Sequence, residues 1–253
     1  ILQNLGEKAI KLLVEIYRES IKSSKIPGKM LKMGVIFIPK DKPDKSCPKS
    51  YRPITLSSFL LKGLERLIQW YLQETILYKP LYRQYAYTKG RSCDSALSEV
   101  VHYIEKGFVY KKYTLAVSLD CSGAFDNITF ESSIRGLVNN GVSPNIIKWY
   151  SNYLSGRSVT SSFHGENKTI YPTKGSPQGG VLSPLVWNLA MNDLLTQFKK
   201  GPVRALGYAD DVIFLTKGID PSTMTDLMQS AINKALTWAQ TNGVTFGAKK
   251  TQA

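Results

Sequence analysis

The sequence predicts an α+β protein whose second half is a split βαβ, ferredoxin-like antiparallel layer packed on helices and carrying insertions. Three observations carry this prediction. Helical periodicity dominates residues 1–112, with one apolar strand near 33–39; the composition changes after Lys112; and from Tyr113 the order runs strand, helices, helix, strand, strand, helix, strand.

Leu5, Ile10, Leu13, Ile16, Tyr17 and Ile21 recur at helical spacing, which predicts an amphipathic helix over 3–24 ended by Pro27-Gly28. The strand at 33–39 follows, then a polar loop over 40–51 with Pro43 and Pro48. Leu60, Leu64, Leu67, Ile68, Tyr71 and Leu72 line one side of a helix from Ser57 to about Leu77, and a further helix covers 92–107. Tyr113 to Leu119 is a β-prone run ending in Asp120. Polar helices are expected at 128–140 and 144–155, and a hairpin at 157–172. Ser183 is placed as the cap of a helix with Pro184 at its first position, running to about Phe198. Strands at 203–208 and 211–216 flank Ala209-Asp210 as a tight hairpin. Pro221 and Ser222 open a last helix to about Thr241, and residues 244–246 return as a strand.

At 253 residues, 43% hydrophobic and 21% charged, the chain can bury a sizeable core without a disulfide or metal staple. No apolar stretch approaches the ~18 residues of a spanning helix, so no membrane role is expected. Cys47, Cys93 and Cys121 are widely spaced and the histidines are only His102 and His164; no Cys/His zinc pattern exists, and a reducing, intracellular compartment is expected. The chain opens at Ile1 inside a helical pattern, which reads as a segment of a longer polypeptide.

Thirty-three Lys/Arg against nineteen Asp/Glu leave a net charge of +14, which suits a polyanionic partner. The excess is uneven. Residues 1–112 hold twenty-one basic and ten acidic side chains, net +11; residues 113–253 hold twelve and nine, net +3. Eight lysines fall between Lys22 and Lys49, around Val35-Ile36-Phe37-Ile38, with Lys40 just beyond that strand. By itself such a run reads equally well as a solvated face or a nucleic-acid surface.

Three acids stand in unusual places. Asp120 ends an apolar strand, and Asp210 and Asp211 sit at the tip of an apolar hairpin. In a split βαβ sheet the first strand and the hairpin are central neighbours, so the three carboxylates converge, and cations must offset their repulsion. Hard oxygen donors without His or Cys point to Mg²⁺, and two such ions suit in-line phosphoryl transfer. The plainer reading of Asp210-Asp211 is a turn dipeptide. Asp126, ahead of the helix near Thr129, reads as a cap rather than a ligand.

Leu119-Asp120-Cys121-Ser122-Gly123-Ala124-Phe125-Asp126, Ser176-Pro177-Gln178-Gly179-Gly180-Val181-Leu182-Ser183-Pro184 and Tyr208-Ala209-Asp210-Asp211 resemble, in order and spacing, three successive motifs of reverse transcriptases. The flavour is that of non-LTR (LINE-type) retrotransposons such as the insect R1 and jockey groups. Ile38-Pro39-Lys40, Tyr51-Arg52-Pro53-Ile54-Thr55-Leu56 and the stretch from Gln84 to Ala96 look like the fingers motifs of that group. The resemblance covers nearly the whole chain. It implies a right-hand polymerase with fingers (1–112) and palm (113–253) and an insertion lying within 128–172; the thumb and upstream endonuclease usual in such elements are not expected within this chain.

The same resemblance implies roles. Asp120, Asp210 and Asp211 would be the metal triad for two Mg²⁺ ions, joined by the backbone carbonyl of Cys121. Phe125 would be the gate excluding a ribose 2′-OH, and Gln178 would touch the incoming nucleotide and template. Lys40 and Arg52 would hold the triphosphate, a point charge beside a fork of donors. Lys250 would protonate the departing pyrophosphate, although Lys249 is adjacent and Gly247 stands where the family often has Asn. Met30-Leu31 replaces a tryptophan of many relatives, a matter of packing. The implied partners are an RNA template, a DNA primer or target and dNTPs, with the nucleus as the implied location. A decayed or domesticated nucleic-acid-binding module, and an intron-maturase or bacterial-type reverse transcriptase, remain alternatives. No Gly-x4-Gly-Lys-Ser/Thr loop occurs, which disfavours a nucleotide-hydrolysing enzyme.

Overall fold

The computed structural model describes residues 4–41, 44–77, 81–163, 165–247 and 251–252. Two four-stranded sheets organise the chain. The first has the order β2-β1-β4-β5, from β1 (Lys32–Pro39), β2 (Tyr51–Leu56), β4 (Ser158–Phe163) and β5 (Glu166–Ile170). The second has the order β6-β7-β3-β8, from β3 (Tyr113–Ser122), β6 (Arg204–Tyr208), β7 (Asp211–Gly218) and β8 (Thr245–Phe246).

The second sheet is antiparallel throughout, and its order is that of the split βαβ layer expected from the sequence. β3 and β7 are its central strands. α7 (Ser183–Leu195) and α8 (Pro221–Thr241) pack on it with Val117, Leu119, Val212, Phe214, Trp187, Met191, Met228 and Trp238 in one core. Asp220 caps α8 by accepting from the backbone N–H groups of Ser222 and Thr223.

A second core gathers α1 (Glu7–Ser23), α2 (Phe59–Thr75), α5 (Phe130–Asn139), α6 (Pro144–Gly156) and the start of β1 around Leu61, Leu64, Ile68, Trp149, Tyr153 and Leu154. Met30 and Leu31 belong to this core, so their departure from tryptophan is absorbed in packing. α7 joins the two cores. Ten of its thirteen residues are buried; Trp187, Ala190 and Met191 face one cluster while Leu185, Val186 and Leu189 face the other, as expected of a helix apolar all round.

Most expected elements form within a residue or two of their places. α3 (Cys93–Val109) starts at a capping box formed by Ser92 and Ser95, and Ser58 and Thr129 cap α2 and α5. Three features go beyond or against those expectations. Residues 51–56 form a strand, β2, which tolerates Pro53 because it lies at the sheet edge. Ser183 is the first helical residue of α7 rather than its cap; its hydroxyl donates instead to the Pro177 carbonyl at 2.8 Å. The 157–172 hairpin does form, but β4 leaves the second half of the chain to pair in parallel with β1, from Lys32↔Ser158 to Gly34↔Thr160.

Candidate active site

The register of the second sheet brings the acids together. β3 pairs with β7 so that Asp120 stands opposite Asp211, and β6 pairs with β7 so that Tyr208 also stands opposite Asp211. Residues in such opposing positions point to the same face. Ala209 and Asp210 form the two-residue turn between the strands. Ala209 holds a left-handed φ of 54°, and the indole N–H of Trp187 donates to its carbonyl at 2.8 Å. The Cys121 N–H donates to the Asp210 carbonyl at 2.8 Å, and the Gly247 N–H donates to the Asp120 carbonyl at 2.8 Å. The turn is thus fixed from the helix below and from β3 beside it.

Gly247, the departure from the family's Asn, has a local reason. A Cβ there would lie 2.9 Å from the Ser122 hydroxyl and 3.4 Å from a carboxylate oxygen of Asp120. Cys121 turns its thiol into the core, where burial first, and then the charges of Asp210 and Asp120, push its pKa up to about 12. Only its backbone can serve the acid face. Among the described residues, no three His, Cys, Asp or Glu side chains are grouped closely enough to enclose a metal ion. The backbone register gathers Asp120, Asp210 and Asp211 at one end of the second sheet.

The loop that follows β5 docks beside them. The Ser176 N–H donates to the Phe125 carbonyl at 2.7 Å, and Arg157, buried and with no acid partner among the described residues, donates to the carbonyls of Lys174 and Gly175. Burial lowers the pKa of that guanidinium. The Gln178 carbonyl accepts from the Thr55 N–H at 2.7 Å, which ties the loop to β2. Gly179 is required there: its φ is +109°, and a Cβ would stand 2.7 Å from the Thr55 carbonyl. The Gln178 amide nitrogen donates to the Asp126 carboxylate at 2.8 Å.

Asp126 therefore does not cap α5, a role that belongs to Thr129; it lies in the short helix α4 (Ala124–Asn127) and orients Gln178. Its carboxyl pKa is raised by desolvation, against the opposing pull of Gln178 and Lys40. Lys40 follows β1 directly, and its N–H donates to the Ser50 carbonyl at 2.7 Å; Arg52 is on β2 opposite Ile38. Both cations thus occupy the same end of the first sheet. Phe125 packs against the core of the second sheet, with its ring centroid 5.8 Å from that of Trp187. Lys250 lies outside the described residues.

Two groups went without a role in the sequence. The Tyr87 phenol has its pKa raised by desolvation, then by Asp210 and Tyr208, so it faces the aspartate end; it sat unremarked inside the Gln84–Ala96 motif. Glu65 is wholly buried on α2 and accepts from the Leu182 N–H at 3.3 Å. Its position between Leu61 and Ile68 on an apolar helix face was the available signal.

This geometry, an antiparallel split βαβ sheet with acids at one end of its central strands, defines a polymerase-like catalytic layer. The chain also superimposes on apo telomerase from Candida Tropicalis with a TM-score of 0.65 at 12% identity, over 98% of this chain and 49% of that one, a likeness of fold. The chain belongs to the reverse transcriptase (RNA-dependent DNA polymerase) family, whose model matches residues 38–253. It is 28% identical over 243 residues to the Retrovirus-related Pol polyprotein from type-1 retrotransposable element R1 of Bradysia coprophila, covering 93% of this chain and 23% of that protein. It is 25% identical over 257 residues to the RNA-directed DNA polymerase from mobile element jockey of Drosophila funebris, covering 97% and 28%. The chain therefore spans about a quarter of the length of these relatives.

Proposed function

We propose that this chain carries the catalytic layer of a non-LTR retrotransposon RNA-directed DNA polymerase, which transfers a nucleotide from a dNTP to a DNA 3′-OH on an RNA template. One observation carries the reading. The Asp120↔Asp211 pair and the Ala209-Asp210 turn share one end of the second sheet, and the Gln178 loop links that end to the first sheet, whose end bears Lys40 and Arg52. Residues 1–112 are read as fingers and 113–253 as palm, with an insertion within 128–172 of the latter that lends β4 and β5 to the first sheet.

The donor set suits two Mg²⁺ ions: hard carboxylate oxygens, no imidazole, and a thiol withdrawn into the core. Asp120, Asp210 and Asp211 would hold the ions, with the Cys121 carbonyl as a further oxygen. Bound there, the ions supply Lewis-acid stabilisation of the attacking and leaving oxygens. The rest falls to the protein. Lys40 and Arg52 balance the triphosphate charge, Gln178, oriented by Asp126, contacts the nucleotide and template, and the Phe125 ring occupies the space a 2′-OH would need. Lys250 is assigned the proton delivered to pyrophosphate. RNA template, DNA primer and dNTPs are the partners of this reading, and the nucleus is its location; among the described residues no helix is long and apolar enough to cross a membrane.

The test is incorporation of dNTPs on a DNA primer annealed to RNA, with Mg²⁺ supplied. Asp210→Asn abolishes it while leaving the melting temperature in place; an unchanged rate sinks the assignment. The alternative is a non-catalytic nucleic-acid-binding module, in line with the lack, among the described residues, of a group of three metal-holding side chains. Salt-sensitive binding without any incorporation would establish it.

A further inference from the structure

We propose that the end of the second sheet remote from the aspartates is a binding surface for single-stranded nucleic acid, built from the lysines and exposed aromatic rings where α3 turns into β3. The register fixes its place. Thr114↔Lys217 lies six pairs from Asp120↔Asp211 along the same two strands, about 20 Å away at ~3.4 Å per residue. It is therefore separate from the site described above and does not depend on the catalytic reading.

Four cations crowd this end. The Lys217 ammonium sits 4.4 Å from the centroid of the Tyr103 ring, and the Arg204 guanidinium sits 4.7 Å from the same centroid. Lys106, near the end of α3, and Lys112, after it, add further positive charge close enough to lower the Lys217 pKa, behind the larger effect of desolvation and that of Arg204. The nearby acids are committed elsewhere or spread thin. Glu99 is held by Arg83 at 2.8 Å, by Arg204 at 3.3 Å and by the Tyr85 hydroxyl; Asp220 caps α8. Glu105 is the exposed neighbour of Lys106 on α3. Lys106, Lys112 and Lys217, held this close with no ion pair among the described residues, favour an anion.

The rings make the anion a nucleic acid with accessible bases. Phe108, Tyr110 and Tyr113 are 74%, 64% and 65% exposed, in the run Lys106-Gly107-Phe108-Val109-Tyr110-Lys111-Lys112-Tyr113. A soluble surface seldom leaves three aromatic rings open within six residues without a partner. Cations alternating with open rings are the pattern that tracks a phosphate backbone while stacking unpaired bases, and it works on any base because each has a π face. A duplex hides those faces.

The test is fluorescence anisotropy of this chain with labelled single-stranded RNA, single-stranded DNA and duplex oligonucleotides over a salt series. The Lys106→Ala/Lys112→Ala/Lys217→Ala variant should lower the slope of log K against log salt by about 2, at ~0.7 per single-strand phosphate contact. The three corresponding Lys→Arg changes should keep it. Phe108→Ser with Tyr110→Ser should weaken single-strand binding at least about fivefold with the slope unchanged, since stacking is not ionic. Asp210→Asn should alter none of these values. The proposal is overturned if the triple alanine variant changes the slope no more than Lys8→Ala/Lys11→Ala/Lys234→Ala, whose lysines are exposed on α1 and α8. It is also overturned if the serine variant binds like the parent, or if only an acidic polypeptide, and no oligonucleotide, is displaced by these changes.

Discussion

The two sheets are built to different tolerances. The second is held on α7 and α8, and its central strand β7 buries Val212, Phe214, Leu215 and Thr216 completely. The first is open over much of its area: Ile36, Phe37 and Ile38 on β1 are half exposed, and every residue of β5 is exposed. The acids belong to the closed sheet and the triphosphate-binding candidates to the open one. Groups that must keep fixed positions relative to reacting atoms gain from a scaffold with no freedom to shift, whereas groups that meet a large, changing polyanion need access. Substitutions in the second sheet are therefore expected to act on rate, and those in the first on affinity.

The largest effect belongs to Asp210. Asp210→Asn keeps size and turn geometry but removes the charge, and incorporation should fall at least about 100-fold, the scale of losing one charge-stabilising group at a reacting centre. A comparable fall from a neutral change on β1 would erase the contrast between the sheets. Next comes the support of that turn. Trp187→Phe keeps a ring beside Phe125 but deletes the N–H held by the Ala209 carbonyl, and should cost about 1–3 kcal/mol in urea unfolding together with a measurable drop in rate. Tyr17→Phe removes a similar bond, from its hydroxyl to the Leu60 carbonyl at 2.6 Å, in the core of the first sheet. It should lose comparable stability and no rate. Equal rate losses in the two variants would show that the turn is not what Trp187 protects.

Smaller effects test the open sheet and the gate. Arg52→Ala should raise the KM for dNTP about tenfold with kcat nearly kept, the size of one hydrogen-bonded charge to phosphate. A drop confined to kcat would move Arg52 out of substrate binding. Phe125→Ala should admit ribonucleotides in single-nucleotide incorporation assays, at some cost in stability because the ring packs on the core. Unchanged sugar discrimination would reduce Phe125 to a packing residue.

How far these features could be read from the chain depended on whether their cause was local. Asp120 after an apolar run and Asp210-Asp211 at a hairpin tip were legible because strand periodicity and turn chemistry are local signals, and the ferredoxin-like order followed from element sequence. β2 was hidden by Pro53, which argues against a strand until one knows it lies at an edge. The parallel pairing of β1 with β4 joins residues more than a hundred positions apart and leaves no trace in either segment. Asp126 was misread for a related reason. Its proximity to Thr129 suggested a cap, while its actual partner, Gln178, is 52 residues away.

Glu65 carries the smallest prediction and tests the core around α2 directly. It is a carboxyl with no exposed surface, and desolvation raises its pKa in spite of the Leu182 N–H. An acid whose folded pKa exceeds the unfolded value of ~4.3 binds its proton more tightly when folded, so its stabilising contribution is complete below that value and is lost as pH rises through the folded pKa. Glu65→Gln keeps the acceptor for Leu182 and cannot ionise. In urea unfolding at pH 4 and pH 8, the variant should therefore gain on the parent at the higher pH. A parent-to-variant difference independent of pH would mean that Glu65 ionises as easily inside the core as outside it, and the core around α2 would then be wetter at the 180–182 loop than its packing indicates.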